Sequence, residues 1–168
     1  MIYFLVALAI TLLSFIAHTW EHYLEHKGRK SGLPRYTIDV AVTIGYFSWV
    51  YMIFSDPFHM ELPYALYAGL ALGMLGLIIA GLGAREKKGF RETDKLVTTG
   101  IFSRLRHPIY VGMVLLYIGF PLAAGSMLTT ACTIIWLPFI LSWRHWEQLE
   151  LTRRFGKKYR DYMRKTLF

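Results

Sequence analysis

Hydrophobic positions gather into five windows, 2–20, 37–54, 62–82, 109–124 and 127–143, separated by shorter polar stretches. Each is long enough, or nearly so, to cross a hydrocarbon core of about 30 Å as a helix of about 20 residues. The fourth window is the shortest and lies between Pro108 and Pro121, so it is expected to be tilted, distorted or shielded by protein. The pattern predicts an all-α, polytopic membrane protein with about five transmembrane helices in a single membrane domain over 1–168. Three N-terminal spans occupy 1–84; a loop, a helical hairpin and an amphipathic C-terminal helix occupy 85–168.

Composition agrees, because 55% hydrophobic and 16% aromatic residues are too many for a water-soluble domain of this size. Charge adds a direction. Four Lys and Arg fall in 27–35, seven in 85–106 and eight in 144–165, which is all 19, while the loops "SDPFHME" and "AAGS" hold none. The positive-inside rule makes the basic face cytoplasmic, with the N-terminus outside and the C-terminus inside. The net charge of +8 is then a membrane-surface signature, and nucleic acid is excluded as a partner because the charges flank spans. The N-terminus has no basic n-region and no convincing small-residue cleavage site, so the first window is expected to be a retained helix. The single cysteine, Cys132, excludes a disulfide framework and a Cys-based metal site.

Three features stand out in the first half. His18, His22 and His26 repeat every four residues on one helical face, a spacing that suits a metal or haem; the plainer reading is an interfacial helix end, with Trp20 and Tyr23 at headgroup depth. Asp39 reads either as a functional intramembrane carboxylate or as a surface acid paired with Arg35 or another cation. The row Ala65, Gly69, Gly73, Gly76 and Ala80 lets a second helix approach closely. A dimer and packing inside the bundle use such a row equally well, and an oligomer is not specifically indicated.

The second half holds two basic segments. The connection "AREKKGFRETDKLVTTGIFSRLRHP" is long for so compact a chain, and Gly89, Phe90, Leu96, Val97, Gly100, Ile101 and Phe102 give it apolar material to fold back on the bundle. The tail places Leu151, Phe155, Tyr159 and Tyr162 at helical spacings opposite a basic face, as in a membrane-surface helix. Glu147, at the membrane end of the tail, has no place in that reading.

"LVTTGIFSRLRHPIYVG", then a helical hairpin, then "E...L...FG..Y..Y" from Glu147 to Tyr162 resembles the membrane methyltransferases that include isoprenylcysteine carboxyl methyltransferases and bacterial phospholipid methyltransferases. The resemblance covers roughly 94–165; the first three spans agree only in number and hydropathy. It implies a cytoplasmic loop that binds S-adenosyl-L-methionine, with Asp94, Lys95, Leu96, Val97 and Phe102 around the cofactor. His107, Pro108, Ile109 and Tyr110 then form the core of its pocket, and Glu147 closes it. Glu147, His107 and Arg144 are the catalytic candidates, with no metal. The partners implied are membrane lipids and a lipophilic or lipidated substrate.

Those residue types suit the chemistry. In-line displacement at a sulfonium needs a positioned nucleophile and exclusion of water. Phe102 and Tyr110 offer aromatic faces to a cation, Glu147 accepts bonds from a ribose hydroxyl or an amino group, and Pro108 opens a helix whose first amides are free for a carboxylate. In carboxyl methyltransferases of this family an Arg stands four residues before the closing Glu; here that position is Trp143, with Arg144 one step on, and a second acid is replaced by Gln148. The acceptor is therefore expected among isoprenylcysteine-type carboxylates, phospholipid amines and thiols, at the cytoplasmic membrane face. The alternatives are a sterol-type membrane reductase using NADPH and a non-enzymatic haem or metal protein built on the three histidines.

Overall fold

A computed structural model describes residues 1–27, 29, 32, 34–61, 63–88 and 95–168. Among them there are six α-helices: α1 (Ile2–His26), α2 (Arg35–Ser55), α3 (Ala65–Lys87), α4 (Pro108–Ala123), α5 (Met127–Ala131) and α6 (Thr133–Met163). A 3-10 turn, Gly100–Ser103, precedes α4. Four helical stretches, Ile2–His26, Tyr36–Ser55, Ala65–Lys87 and Met127–Met163, are long and apolar enough to cross a membrane, and the 16-residue α4 is a shorter apolar helix. The polytopic all-α architecture is thus present. The helices outrun the hydrophobic windows at the ends that carry the basic residues, because polar residues continue a helix without adding to hydropathy.

The outer surfaces of these helices carry exposed Leu5, Phe47, Leu75, Ile78 and Ile134, as lipid-facing walls do. The interior is aromatic: Phe15, Trp49, Tyr117, Trp136 and Trp143 share one buried cluster, with the Trp49 and Tyr117 rings edge-on at 4.5 Å. Pro121 lies inside α4 and supplies no N–H to the Tyr117 carbonyl one turn earlier. Thr133 fills the gap, its hydroxyl donating to that carbonyl at 3.1 Å.

The row of small residues is consumed within the bundle. Gly69, Gly73 and Gly76 of α3 face Gly112, Gly119 and Ala123 of α4 so closely that a methyl group on any of the five glycines would collide with its neighbours, mostly backbone atoms of the facing helix. The first two helices are joined differently, with Ser48 donating to the Ala7 carbonyl at 2.9 Å. At the end remote from the basic segments, the Asp56 carboxylate is buried. It accepts from the Phe58 amide at 2.8 Å, the Thr129 amide at 2.7 Å and the Thr129 hydroxyl at 2.8 Å. Ser126 adds a bond to the Ile53 carbonyl at 2.7 Å. That knot ties the α2–α3 connection to the start of α5.

At the other end α6 is interrupted. Gly156 has φ 53° and ψ −121°, a conformation side-chain-bearing residues avoid. The aromatic stripe read from the tail is therefore split: Leu151 and Phe155 precede the break, while Tyr159 and Tyr162 follow it and turn inward, both buried. Gly156→Ala is expected to destabilise the protein by about 1–3 kcal/mol, although a methyl there meets nothing within 4 Å. An unchanged unfolding midpoint, with unchanged amide exchange over 157–163, would show that the break carries no strain.

Candidate active site

Four segments meet at the end carrying the basic residues: the last turn of α3, the described part of the long connection, the start of α4, and the middle of α6. The connection is held down by Phe102, buried by the 3-10 turn, whose carbonyl accepts from the Tyr162 hydroxyl at 2.7 Å. The final residues run beside it. Arg106 N donates to Leu167 O at 3.0 Å and Leu167 N to Arg104 O at 2.8 Å, and Arg106 Nε donates to Phe168 O at 2.9 Å.

Between these segments lies a narrow cleft lined by Lys95, Leu96, Val97, Phe102, Glu147 and Lys87, with Arg106, Leu151, Tyr159 and Tyr162 completing its walls. Its enclosed volume is about 20 Å³, room for about one water molecule. Glu147 is 8% exposed and holds two partners. Its Oε1 accepts from Lys87 Nζ at 2.5 Å, and its Oε2 lies 3.4 Å from His107 Nδ1. Helix α3 brings Lys87 there because it runs to 87; the sequence pattern left this residue in the connecting loop, and nothing in its spacing pointed to a glutamate 60 positions away.

The structure brings together most of the residues singled out above. Lys95, Leu96, Val97, Phe102 and Glu147 line one cleft, with His107 directly behind Glu147. Asp94 lies outside the described residues, as do Gly89 and Phe90. Pro108 and Ile109 are not among the walls of the cleft and pack the first turn of α4 against Gly83 of α3. Pro108 opens α4 as expected. Tyr110 turns its ring to His107 at 5.9 Å. Arg144 shares a helix face with Glu147, three residues apart, yet its guanidinium stacks on the Phe168 ring at 4.4 Å, outside the cleft lining. Trp143 packs toward α1, its indole N–H donating to the Thr19 hydroxyl at 2.8 Å. Lys87, Arg106, Leu151, Tyr159 and Tyr162 line the cleft and were not among the sequence-based site residues, although Leu151 and the two tyrosines stood in the apolar stripe and in the tail pattern.

Elsewhere, His18 and His22 rest on each other and on Trp143, with their Nε2 atoms 3.2 Å apart. Among the described residues no three His, Cys, Asp or Glu side chains converge as a metal site. Asp39 is exposed one turn into α2.

Burial pushes the His107 imidazole below its ordinary pKa; the Glu147 carboxylate opposes this, and Arg144 and Lys87 add to the lowering. His107 is then neutral at pH 7. With Nδ1 facing a carboxylate, the favoured tautomer has the proton on Nδ1 and a lone pair on Nε2. Among the described residues Nε2 is buried without a hydrogen-bond partner, as are Arg144 Nε and the Tyr159 hydroxyl. Because the folded pKa is depressed, the unfolded chain binds the extra proton first, so stability falls as pH drops below the unfolded value and through the folded one. The stability advantage of the native protein over His107→Asn is expected to shrink from about pH 7.5 to about pH 5. A gap in unfolding midpoints that widens on acidification would reverse the sign and refute a neutral His107.

Comparison with known proteins gives the site a family. The family model for phospholipid methyltransferases matches residues 65–158. Two rice proteins, from Oryza sativa subsp. indica and subsp. japonica, each described as a probable protein-S-isoprenylcysteine O-methyltransferase, are 25% identical to the chain over 115 residues. The alignment takes in 62% of this chain and 60% of each relative, so the chain spans about 60% of the length of these curated relatives. No solved structure matches. The family match runs from the first residue of α3, through the connection, α4 and α5, to one residue before Tyr159, which is more than half of the 168 residues, and on that match the chain belongs to the phospholipid methyltransferase family.

Proposed function

We propose that this protein transfers a methyl group from S-adenosylmethionine to a lipophilic acceptor at the cytoplasmic face of the membrane. The acceptor classes are an isoprenylcysteine-type carboxylate, a phospholipid amine and a thiol. The observation that carries the reading is the buried Glu147 carboxylate, held between His107 and Lys87 at the floor of a cleft walled by Leu96, Val97 and Phe102. An acid suits the cofactor's ammonium and ribose hydroxyls, and Phe102, Tyr159 and Tyr162 offer aromatic faces to a cation. The unpartnered Tyr159 hydroxyl and His107 Nε2 supply a donor and an acceptor that folding leaves unused.

When bound, S-adenosylmethionine supplies an electrophilic methyl carried by a sulfonium. Leu96, Val97 and Phe102 exclude water from the reacting end. Glu147 fixes the imidazole through Nδ1, and His107 Nε2 takes the proton that an amine or thiol must lose. Arg144, three residues from Glu147, stands on the acceptor side. The basic ends of α3 and α6 lie toward the cytoplasm, where the cofactor enters, and the acceptor arrives through the bilayer.

The test is to incubate membranes containing the protein with cofactor radiolabelled on the methyl group and to separate labelled lipids, thiols and peptides. Label in one lipophilic class, lost on removing the protein, is the expected result. Purified protein that binds NADPH and neither S-adenosylmethionine nor S-adenosylhomocysteine would overturn it.

A further inference from the structure

Among the described residues, the cleft has an uneven charge inventory: three cations, Lys87, Lys95 and Arg106, and one acid, Glu147. Arg106 is engaged by the chain itself, reaching the Phe168 and Met163 carbonyls at 2.9 and 3.4 Å. Lys87 is the cation that meets the acid, with only 13% and 9% of the two side chains exposed. The pair is not required to hold its helices, since α3 is fixed to α4 by the glycine face and α6 to the core by Trp136 and Trp143. Taking two charges out of water for adhesion alone is a poor exchange, so the pair calls for another reason.

We infer that Lys87 is a ligand-binding residue that receives the α-carboxylate of the cofactor, leaving Glu147 to its α-ammonium. The inference rests on the S-adenosylmethionine reading above. The amino-acid end of that cofactor is a zwitterion, and Lys87 with Glu147 is the matching pair of opposite charges closed on itself. Exchanging one ion pair for two keeps every sheltered charge matched before and after binding. In a cleft this narrow, a ligand that takes Lys87 and Glu147 separately parts the two side chains. Lys87 is placed to move: it ends α3, followed by Lys88 in the left-handed region, and its four-carbon stem swings without displacing the helix.

The experiment uses three ligands on the purified full chain: S-adenosylhomocysteine, its decarboxylated counterpart, which keeps the amine, and 5′-methylthioadenosine, which has neither group. Calorimetry on Lys87→Met is expected to show S-adenosylhomocysteine weakened by about 10- to 100-fold, with the decarboxylated ligand unchanged or tighter and methylthioadenosine unchanged. Equal weakening of both amine-bearing ligands would make Lys87 a support for Glu147 and overturn the inference, as would no weakening. Native protein with ¹⁵N-labelled lysine gives an answer independent of any variant: both amine-bearing ligands are expected to shift the Lys87 ammonium signal, because both part the pair, and only S-adenosylhomocysteine is expected to slow its hydrogen exchange, because only that ligand brings a new carboxylate. Slowing by the decarboxylated ligand as well, or by neither, would also overturn it. Should native protein bind none of the three ligands, the cofactor reading itself fails; binding that is indifferent to Lys87 fails this inference alone.

Discussion

Glu147→Gln is expected to lower methyl transfer by about 100-fold or more and to destabilise the folded protein by about 3 kcal/mol. Both effects have one origin. The carboxylate is the shared partner of Lys87 and His107, and an amide in its place leaves an ammonium in a largely sheltered position without a counter-charge. The imidazole also loses the group that sets its tautomer. The double variant Lys87→Met with Glu147→Gln separates these consequences: it removes the stranded charge, so part of the stability returns, while transfer stays low. Label incorporation per folded protein, read with the unfolding midpoint in detergent, checks both. Full activity in Glu147→Gln and in His107→Ala would reduce these side chains to a structural role.

Gly119→Val is expected to be the most damaging single change to the fold, at more than about 3 kcal/mol. A side chain at 119 runs into the Gly73 amide nitrogen and the Gly69 carbonyl, so the clash is with backbone, which has no rotamer to escape into. The facing change, Gly73→Val, meets the Phe120 ring instead, whose side chain can turn away, and is expected to cost less. The pair also tests what the small-residue row is for. If the row served contact between copies, Gly119→Val would yield a stable monomer; a protein that fails to accumulate in folded form is the outcome that packing between α3 and α4 predicts.

The helices were legible because hydropathy reports on bulk solvent, and bulk solvent decides where a chain crosses lipid. Windows ending at 20, 82 and 143 stop where charge begins, whereas α1, α3 and α6 continue through it to His26, Lys87 and Met163. Lys87 was invisible for that reason, and because partnership with Glu147 is a property of two helix ends meeting. His107 and Glu147 were singled out through a motif whose order along the chain matched a known pattern, and the fold sets them side by side; spacing alone left His107 undecided. Pro108 and Ile109 stand in the same motif but serve the packing of α4, since one turn of helix points only some of its side chains toward any cleft. The Asp56 knot left no mark in the composition of its loops beyond their lack of basic residues. Gly156 was visible as a letter in a pattern, while the direction in which it sends the last turn depends on its torsion angles.

The Asp56 knot has a mechanical consequence. It fastens the α2–α3 connection to the start of α5, and from that end of the bundle α3 runs 23 residues, about 34 Å, to Lys87. Over that length a tilt of about 5° would carry the far end through about 3 Å, which is more than the Lys87–Glu147 contact tolerates. A carboxylate at the opposite end of the bundle and the glycine packing along α3 and α4 thus set how near Lys87 stands to Glu147, and leave its adjustment to the lysine stem.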